Sequence, residues 1–241
     1  YVFGALSGVY SLMQFVFAPI VGSLSDRFGR RPVILISLFG SSIDYFLMAW
    51  APTLAWFFVA RIISGIAGAN YAAAFAYIAD ISPKQKRAAN FGIIGAAFGL
   101  GFIFGPGLGG WLGDYNLRFP FYAAGILTLI NWLYGLFILP ESLKAENHRA
   151  FSWKRSNPFG ALLELRKHPL VRGLSLSYFL SSFAQQIYPA IWVLYTSFRY
   201  NWTSKETGFS LALVGLTGAI VQGGLSRIII PKVGEQNAAV G

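Results

Sequence analysis

The segment Gly22-Ser-Leu-Ser-Asp26-Arg27-Phe-Gly29-Arg30-Arg31 lies between two long apolar stretches of the chain. Residues 2–24 before it carry no charge, and residues 33–50 after it carry only Asp44. Each stretch is long enough to cross the hydrocarbon core of a bilayer as a helix. A short loop with three arginines between two such helices favours the cytoplasmic side of a membrane. Its glycines permit tight turning and close packing, and Asp26 can pair with its basic neighbours.

The composition extends this interpretation to the whole chain. Of its 241 residues, 55% are hydrophobic and 12% are charged, and the mean hydropathy is +0.55. A soluble domain carries about 25% charged residues. Apolar stretches of about 18 to 25 residues predict seven membrane spans: 2–24, 33–51, 54–79, 89–113, 120–139, 172–196 and 207–230. The predicted fold class is an all-α membrane protein, a polytopic helical bundle in a lipid bilayer.

The basic residues alternate between the predicted loops. Of the 19 Lys and Arg residues, fifteen fall in loops on one side of the predicted membrane, three fall on the other, and Arg61 lies inside a span. This asymmetry predicts that the basic loops are cytoplasmic. The net charge of +10 is therefore explained by topology, and no nucleic acid is predicted as a partner. Because the chain has no cysteine and only two histidines, it predicts no metal site and no cofactor.

One long polar stretch, residues 140–171, divides the chain. We expect residues 1–139 to form an N-terminal helical half that lacks its first helix, and residues 172–241 to begin a truncated C-terminal half. In the stretch between them, Asn157 and Pro158 predict a short amphipathic helix on the membrane surface, with Asn157 as its N-cap. Because the chain opens and ends in apolar sequence, we expect it to be an internal fragment that is inactive when expressed alone.

The fourth predicted span is rich in glycine around a proline. Glycines at four-residue spacing line one face of a helix and let a neighbour approach closely, and a proline can bend the helix. The pattern therefore predicts a packing face made of Gly101, Gly105, Pro106, Gly109 and Gly110.

Charged residues inside the spans are the strongest site candidates, because a charge in a membrane is costly and faces protein or a water-filled cavity. Arg61 and Asp44 are equally far from the turn at Ala51-Pro52-Thr53, so they are predicted to lie at one depth and to form an ion pair. Asp80 ends the helix that carries Arg61, where an acid needs a cationic partner. The family resemblance given below implies that this partner is Arg30.

Uncharged polar residues in the spans are candidates for a substrate path, although each can equally be a satisfied contact between helices. They are Gln14, Asn70, Gln185, Gln186 and Gln222.

These motifs resemble the major facilitator superfamily. The 22–31 segment is similar to the loop between helices 2 and 3 of that family, and Arg61-x-x-Ser64-Gly65-x-Ala67-Gly68-Ala69 is similar to a fourth-helix motif of its proton-coupled members. Gly105-Pro106-x-x-Gly109-Gly110 resembles the fifth-helix motif of drug:proton antiporters. The closest resemblance is to the tetracycline:proton antiporters, over the whole chain, as in Tyr10-Ser-Leu-Met-Gln14-Phe-Val-Phe-Ala-Pro19 and Ser41-Ser-Ile-Asp-Tyr45.

The resemblance implies about helices 2–8 of a twelve-helix exporter in the inner membrane, which moves a small amphiphilic, tetracycline-like compound in exchange for protons. It implies that Gln14 and Gln222 lie near the substrate path. Two departures are that the family's first-helix and ninth-helix acids would lie outside this chain, and that Gly218 occupies the position of a histidine found in some members. The residues expected to take part in conformational change or coupling are Asp26, Arg27, Gly29, Arg30, Arg31, Asp44, Arg61 and Asp80.

Two other functions are compatible with several apolar spans. A facilitator that imports a sugar or an organic acid is disfavoured by the Gly105–Gly110 motif. A seven-helix receptor fits the number of spans, but a retinal protein needs a lysine inside its last helix, and residues 207–230 contain none. No nucleophile with a neighbouring base and no phosphate-binding loop is present, so the sequence does not predict an enzyme.

Overall fold

The computed structural model describes residues 2–153, 156–160 and 169–220, and the regular structure of these residues is helical throughout. The predicted all-α fold is therefore confirmed. The helices with described bounds are α1 (Val2–Phe28), α2 (Arg30–Trp50), α3 (Leu54–Gly68), α4 (Tyr71–Ile81), α5 (Arg87–Tyr115), α6 (Phe119–Ile138), α7 (Pro169–Tyr200) and α8 (Ser204–Ile220), and residues 158–160 are helical as well. Short 3-10 turns occur at Lys84–Lys86 and Ala145–Asn147.

Five stretches of the described chain are long and apolar enough to cross a membrane. They are Val2–Phe28, Arg30–Trp50, Leu54–Ile81, Lys84–Tyr115 and Phe119–Ile138, and they match the first five predicted spans to within about five residues at each end. The sixth predicted span lies within α7. The seventh begins in α8 and runs beyond the described residues, so the total of seven spans stays a prediction. Helices suit this environment because they satisfy their own backbone polar groups.

Contacts group the chain into two compact units that do not follow chain order. The first contains the chain up to Ala88 together with Phe121–Ser182. The second contains Ala89–Pro120 and the described chain from Phe183 onwards. Helix α5 therefore groups with α8, and not with the helices that precede and follow it in sequence. The domain boundaries drawn at residues 139 and 171 stay a prediction.

In the first unit, α1 and α2 both pack on α3, and α6 packs on α2. Glycines on α6 allow this approach: a Cβ at Gly125 would lie 3.1 Å from the Phe46 ring, and one at Gly135 would lie 3.0 Å from a Leu35 methyl group. The Ser42 hydroxyl donates to the Gly125 carbonyl oxygen at 3.2 Å. Small residues and a polar contact between helices are typical of packing in membranes.

The predicted span 54–79 is interrupted by one turn at Ala69 and Asn70, between α3 and α4. The Gln14 side-chain amide of α1 donates to the Gly68 carbonyl oxygen at 3.1 Å. A break in a membrane helix frees backbone groups that a neighbouring side chain has to satisfy. Gln14 does this here, and it ties α1 to the end of α3.

In the second unit, the contact between α5 and α8 involves part of the predicted packing face. A Cβ at Gly101, Gly105 or Gly109 would meet nothing within 4 Å in the described part of the chain. The close approach is made by Gly110, where a Cβ would lie 3.0 Å from the Gly208 Cα, and by Gly107, where it would lie 3.6 Å from the Ala212 Cβ. Two of the predicted packing residues, Pro106 and Gly110, therefore lie at the contact with α8, since a Cβ at Gly208 would collide with the Pro106 carbonyl oxygen and lie 2.9 Å from the Gly110 Cα. A packing role for Gly101, Gly105 and Gly109 stays a prediction.

The connection between α7 and α8 is closed by standard capping contacts. Asn201 follows α7 with φ of 53°, a left-handed conformation that Asn tolerates well. The Thr203 hydroxyl accepts from the Glu206 backbone N–H at 3.3 Å, and the Glu206 carboxylate accepts from the Thr203 backbone N–H at 2.8 Å. This reciprocal pair is a capping box that starts α8.

In the polar stretch, the Asn157 side-chain oxygen accepts the Phe159 backbone N–H at 3.0 Å. The predicted N-cap is therefore confirmed. The Phe159 ring meets the Phe15 ring of α1 edge to face, with 6.0 Å between the centroids. The body of the predicted helix, residues 161–168, lies outside the described residues.

Candidate functional site

A charge cluster forms where α1 ends and α2 begins, and it is centred on the Arg30 guanidinium. Arg30 Nη1 lies 2.5 Å from Asp26 Oδ1, and Arg30 Nε lies 3.3 Å from Asp80 Oδ2. Arg30 Nη1 also donates to the Ser25 hydroxyl at 2.6 Å. The predicted contact of Arg30 with Asp26 and Asp80 is thus confirmed, because both distances fall within the ion-pair limit of about 4 Å.

The turn that precedes Arg30 depends on Gly29, whose backbone has φ of 102° and ψ of 157°. This region is open almost exclusively to glycine. A Cβ at Gly29 would also collide with the Glu141 carboxylate. Gly29 is therefore required both by the turn itself and by a residue 112 positions along the chain.

Glu141 belongs to the cluster, although no motif in the sequence marks it. Its carboxylate accepts the backbone N–H groups of Arg30 at 2.9 Å and Arg31 at 3.1 Å. Desolvation raises the pKa of this carboxyl, but hydrogen bonds from the backbone N–H groups of Leu143, Arg30, Arg31 and Ser142 outweigh it, and the net pKa lies below the ordinary value. The only signal in the sequence was its place directly after a predicted span.

The chain after Glu141 covers the same loop. The Ser142 hydroxyl donates to Asp80 Oδ2 at 3.3 Å, and the Arg149 backbone N–H donates to the Asp26 carbonyl oxygen at 3.0 Å. His148 Nδ1 lies 2.8 Å from the Arg27 carbonyl oxygen. The remaining basic residues have separate partners: the Arg27 guanidinium lies 5.0 Å from the Phe28 ring centroid, and Arg31 Nη2 donates to the Leu136 carbonyl oxygen at 2.6 Å.

Asp44 is the deeply buried acid of the first unit, with 1% of its surface exposed. The Ser64 hydroxyl and the Arg61 guanidinium are the polar side chains that act on its carboxylate. Its Oδ1 has no hydrogen-bond partner among the described residues. A buried polar atom without a partner is costly and marks a place where a proton, an ion or a moving side chain can bind.

The predicted ion pair between Asp44 and Arg61 is wrong for this structure, because no such pair within 4 Å occurs in the described residues. Arg61 Nη2 instead donates to the Met48 sulfur at 2.6 Å, and the guanidinium lies 5.9 Å from the Tyr10 ring centroid. Equal depth along two helices sets the height of two side chains. The direction of a long, flexible arginine around the helix axis is decided by the sulfur and the aromatic face near it.

The substrate-path candidates have different outcomes. The Gln14 side chain donates to the Gly68 carbonyl oxygen. Of a substrate contact and a satisfied contact between helices, the structure therefore shows the second. Asn70 lies at the break between α3 and α4, and its carbonyl oxygen accepts the Ala74 backbone N–H at 3.0 Å. Gln185 and Gln186 lie on α7, but their side chains are outside the described part, and Gln222 is outside it altogether. Their roles stay a prediction.

No group of three or more His, Cys, Asp or Glu side chains that could hold a metal ion occurs in the described ranges. The helices, the buried acid and the charge cluster define a polytopic helical membrane protein with ionisable side chains inside its bundle. The family model described as the Major Facilitator Superfamily matches residues 2–240, and the chain belongs to that family. The alternative of a seven-helix receptor is therefore set aside.

Similar proteins agree with this assignment. The chain is 40% identical over 238 residues to the tetracycline resistance protein of class C from Escherichia coli, covering 99% of this chain and 60% of that protein. It is 38% identical to the class B protein from the same organism, covering 99% of this chain and 59% of that protein. The crystal structure of the human organic anion transporter MFSD10 (TETRAN) matches with a TM-score of 0.75 and 30% identity, over 93% of this chain and 56% of that one. The chain thus spans about 60% of the length of the curated relatives it matches.

Proposed function

We propose that this chain is part of a secondary active transporter that exports a small amphiphilic compound of the tetracycline class in exchange for protons. The observation that carries the proposal is Asp44, a carboxylate that is 1% exposed inside a membrane span and has one oxygen without a partner among the described residues. The similarity to tetracycline resistance proteins over 99% of the chain supports the substrate class.

Asp44 has two ways to become satisfied: it can bind a proton, or it can pair with Arg61. An intramembrane ionisable residue with a mobile partner is the usual arrangement of a proton relay. In the proposed cycle, protonation of Asp44 leaves Arg61 on Met48 and Tyr10, and loss of the proton draws the guanidinium to the carboxylate. Such an exchange converts proton binding into a movement of α2 against α3.

The charge cluster around Arg30 supplies the second part of the cycle. Because basic loops favour the cytoplasm, the proposed orientation places this cluster on the cytoplasmic side of the inner membrane. Alternating access needs two arrangements of similar energy, and ion pairs at one mouth bias one of them. The cluster of Asp26, Arg30 and Asp80 then holds the cytoplasmic side closed while the outer side is open.

The test is proton-driven uptake of tetracycline by inverted membrane vesicles from cells that express the complete gene. Asp44→Asn is expected to abolish uptake, because an amide cannot carry the proton, whereas Asp44→Glu is expected to keep part of it. The matched control is Asp114→Asn, which removes an exposed acid at the end of α5 and should leave uptake unchanged. Uptake by Asp44→Asn at the wild-type rate would refute the proposed coupling.

A further inference from the structure

Helix α2 begins without a side-chain cap of its own, because its N-cap residue is Gly29. The first N–H groups of a helix have no acceptor within the helix, and this end of the helix dipole is positive. Glu141 supplies what is missing: Oε1 accepts the Arg30 N–H at 2.9 Å, and Oε2 accepts the Arg31 N–H at 3.1 Å. The cap comes from the chain that follows α6.

The Glu141 carboxylate occupies the space that a side chain at position 29 would need. A Cβ at Gly29 would collide with both the carboxyl carbon and an oxygen of Glu141. Gly29 is therefore needed both for its own backbone conformation and to leave space for the Glu141 carboxylate. In the same segment, the Ser142 hydroxyl donates to Asp80 at 3.3 Å, so the contact reaches α4 as well as α2.

We propose that Glu141 is a positioning residue of the charge cluster. It caps α2 and holds the start of that helix where the Arg30 guanidinium bridges Asp26 and Asp80. Segment 141–143 thus links α6 to the loop between α1 and α2, and it has to leave the loop or move with it when the cluster opens. Its effect on transport rests on the proposed function, whereas its docking does not.

A purely local role for Glu141 has to be separated from this one. Its Oε1 also accepts the N–H groups of Ser142 and Leu143, both at 2.9 Å, so the alternative is that the residue only stabilises its own turn after α6. In that case, changes at Glu141 and at Gly29 would act independently. If the carboxylate docks on the loop, the two changes disrupt one contact and their effects will not add.

The experiment uses a cysteine reporter in the complete protein. The 241 residues contain no cysteine, and Leu143 is 9% exposed, so a Leu143→Cys thiol is protected while the segment is docked. The rate at which a charged maleimide labels this thiol is measured in inverted vesicles. The background is checked on protein without the reporter.

Glu141→Ala is expected to raise the labelling rate about fivefold, the effect of losing a typical helix N-cap. Glu141→Gln, which keeps one acceptor oxygen, should give a smaller rise. The matched control is Glu146→Ala, an exposed acid in the same segment, which should not change the rate. Gly29→Ala should also raise the rate, because the added methyl group displaces the carboxylate.

The decisive measurement is the double variant. When Glu141 is already alanine, Gly29→Ala no longer displaces a carboxylate and acts only through its strained backbone conformation. The labelling rate of the double variant should therefore rise clearly less than the product of the two single-variant increases. A combined rise equal to that product would overturn the proposal, as would a Glu141→Ala rate equal to that of Glu146→Ala. Labelling needs no transport, so a failure of the export proposal would appear in the Asp44 test and leave this result intact.

Discussion

Replacing Gly65 by alanine tests whether the packing of α1 on α3 is as close as the structure indicates. A Cβ at Gly65 would lie 2.6 Å from the Met13 Cβ and 2.6 Å from the Tyr10 carbonyl oxygen. Carbon atoms in contact prefer about 3.5 to 4.0 Å. Neither neighbour is the free end of a flexible side chain, so the two helices have to separate by roughly 1 Å at this level.

The cost can be bracketed. Overpacking a close interface costs about 1–3 kcal/mol, while an alanine in place of glycine inside a helix returns about 1 kcal/mol. We therefore expect a net loss of up to about 2 kcal/mol in the free energy of unfolding. Because Tyr10 and Gln14 lie on the same surface of α1, the separation also moves Tyr10 from Arg61 and stretches the 3.1 Å bond from Gln14 to Gly68. The rate of proton-driven uptake should therefore fall further than the loss of folded protein alone would explain.

The assay compares thermal unfolding of the purified complete protein in detergent with proton-driven uptake at equal expression. The matched control is Gly22→Ala on α1, where the added Cβ would meet the Ala72 Cβ at 3.7 Å, an ordinary contact. This control should unfold at or above the wild-type temperature. If Gly65→Ala and Gly22→Ala behave alike in both measurements, the close approach of α1 and α3 is refuted.

Two further predictions use pairs of variants. Gly110→Ala should lower the unfolding temperature, because its Cβ would lie 3.0 Å from the Gly208 Cα. Gly109→Ala should not lower it, because its Cβ would meet nothing within 4 Å in the described chain. Equal shifts in the two variants would contradict the contact of α5 with α8. Tyr10→Leu should reduce the initial rate of uptake roughly threefold or more, since an aromatic face is worth about 0.5–2 kcal/mol to a cation, while Tyr10→Phe keeps the ring and most of the rate. Equal rates for Leu and Phe would show that the ring does not hold Arg61.

The sequence by itself determined the features that depend on local composition and periodicity. Long apolar stretches require helices in a bilayer, because only a helix satisfies every backbone group within one segment. The Asn157 cap follows from two neighbouring residues and the first five spans from continuous apolar stretches, and the structure has the cap and a long apolar helical stretch at each span. The cluster of Asp26, Arg30 and Asp80 was also predictable, because an acid at the end of a helix needs a cation and the arginine-rich loop was the source that the family resemblance indicated.

Only the tertiary structure decided which side chains of different helices contact one another. Glycine spacing marked a small-residue face on α5, but the packing of α8 brings only Pro106 and Gly110 of that face, together with Gly107, into contact in the described chain. The hairpin geometry placed Asp44 and Arg61 at one depth, yet Met48 and Tyr10 determine where the guanidinium points. Glu141 reaches α2 across 111 residues, and no local pattern encodes that contact. Helix formation is settled within a few residues, whereas the partner of a side chain depends on which distant elements pack beside it.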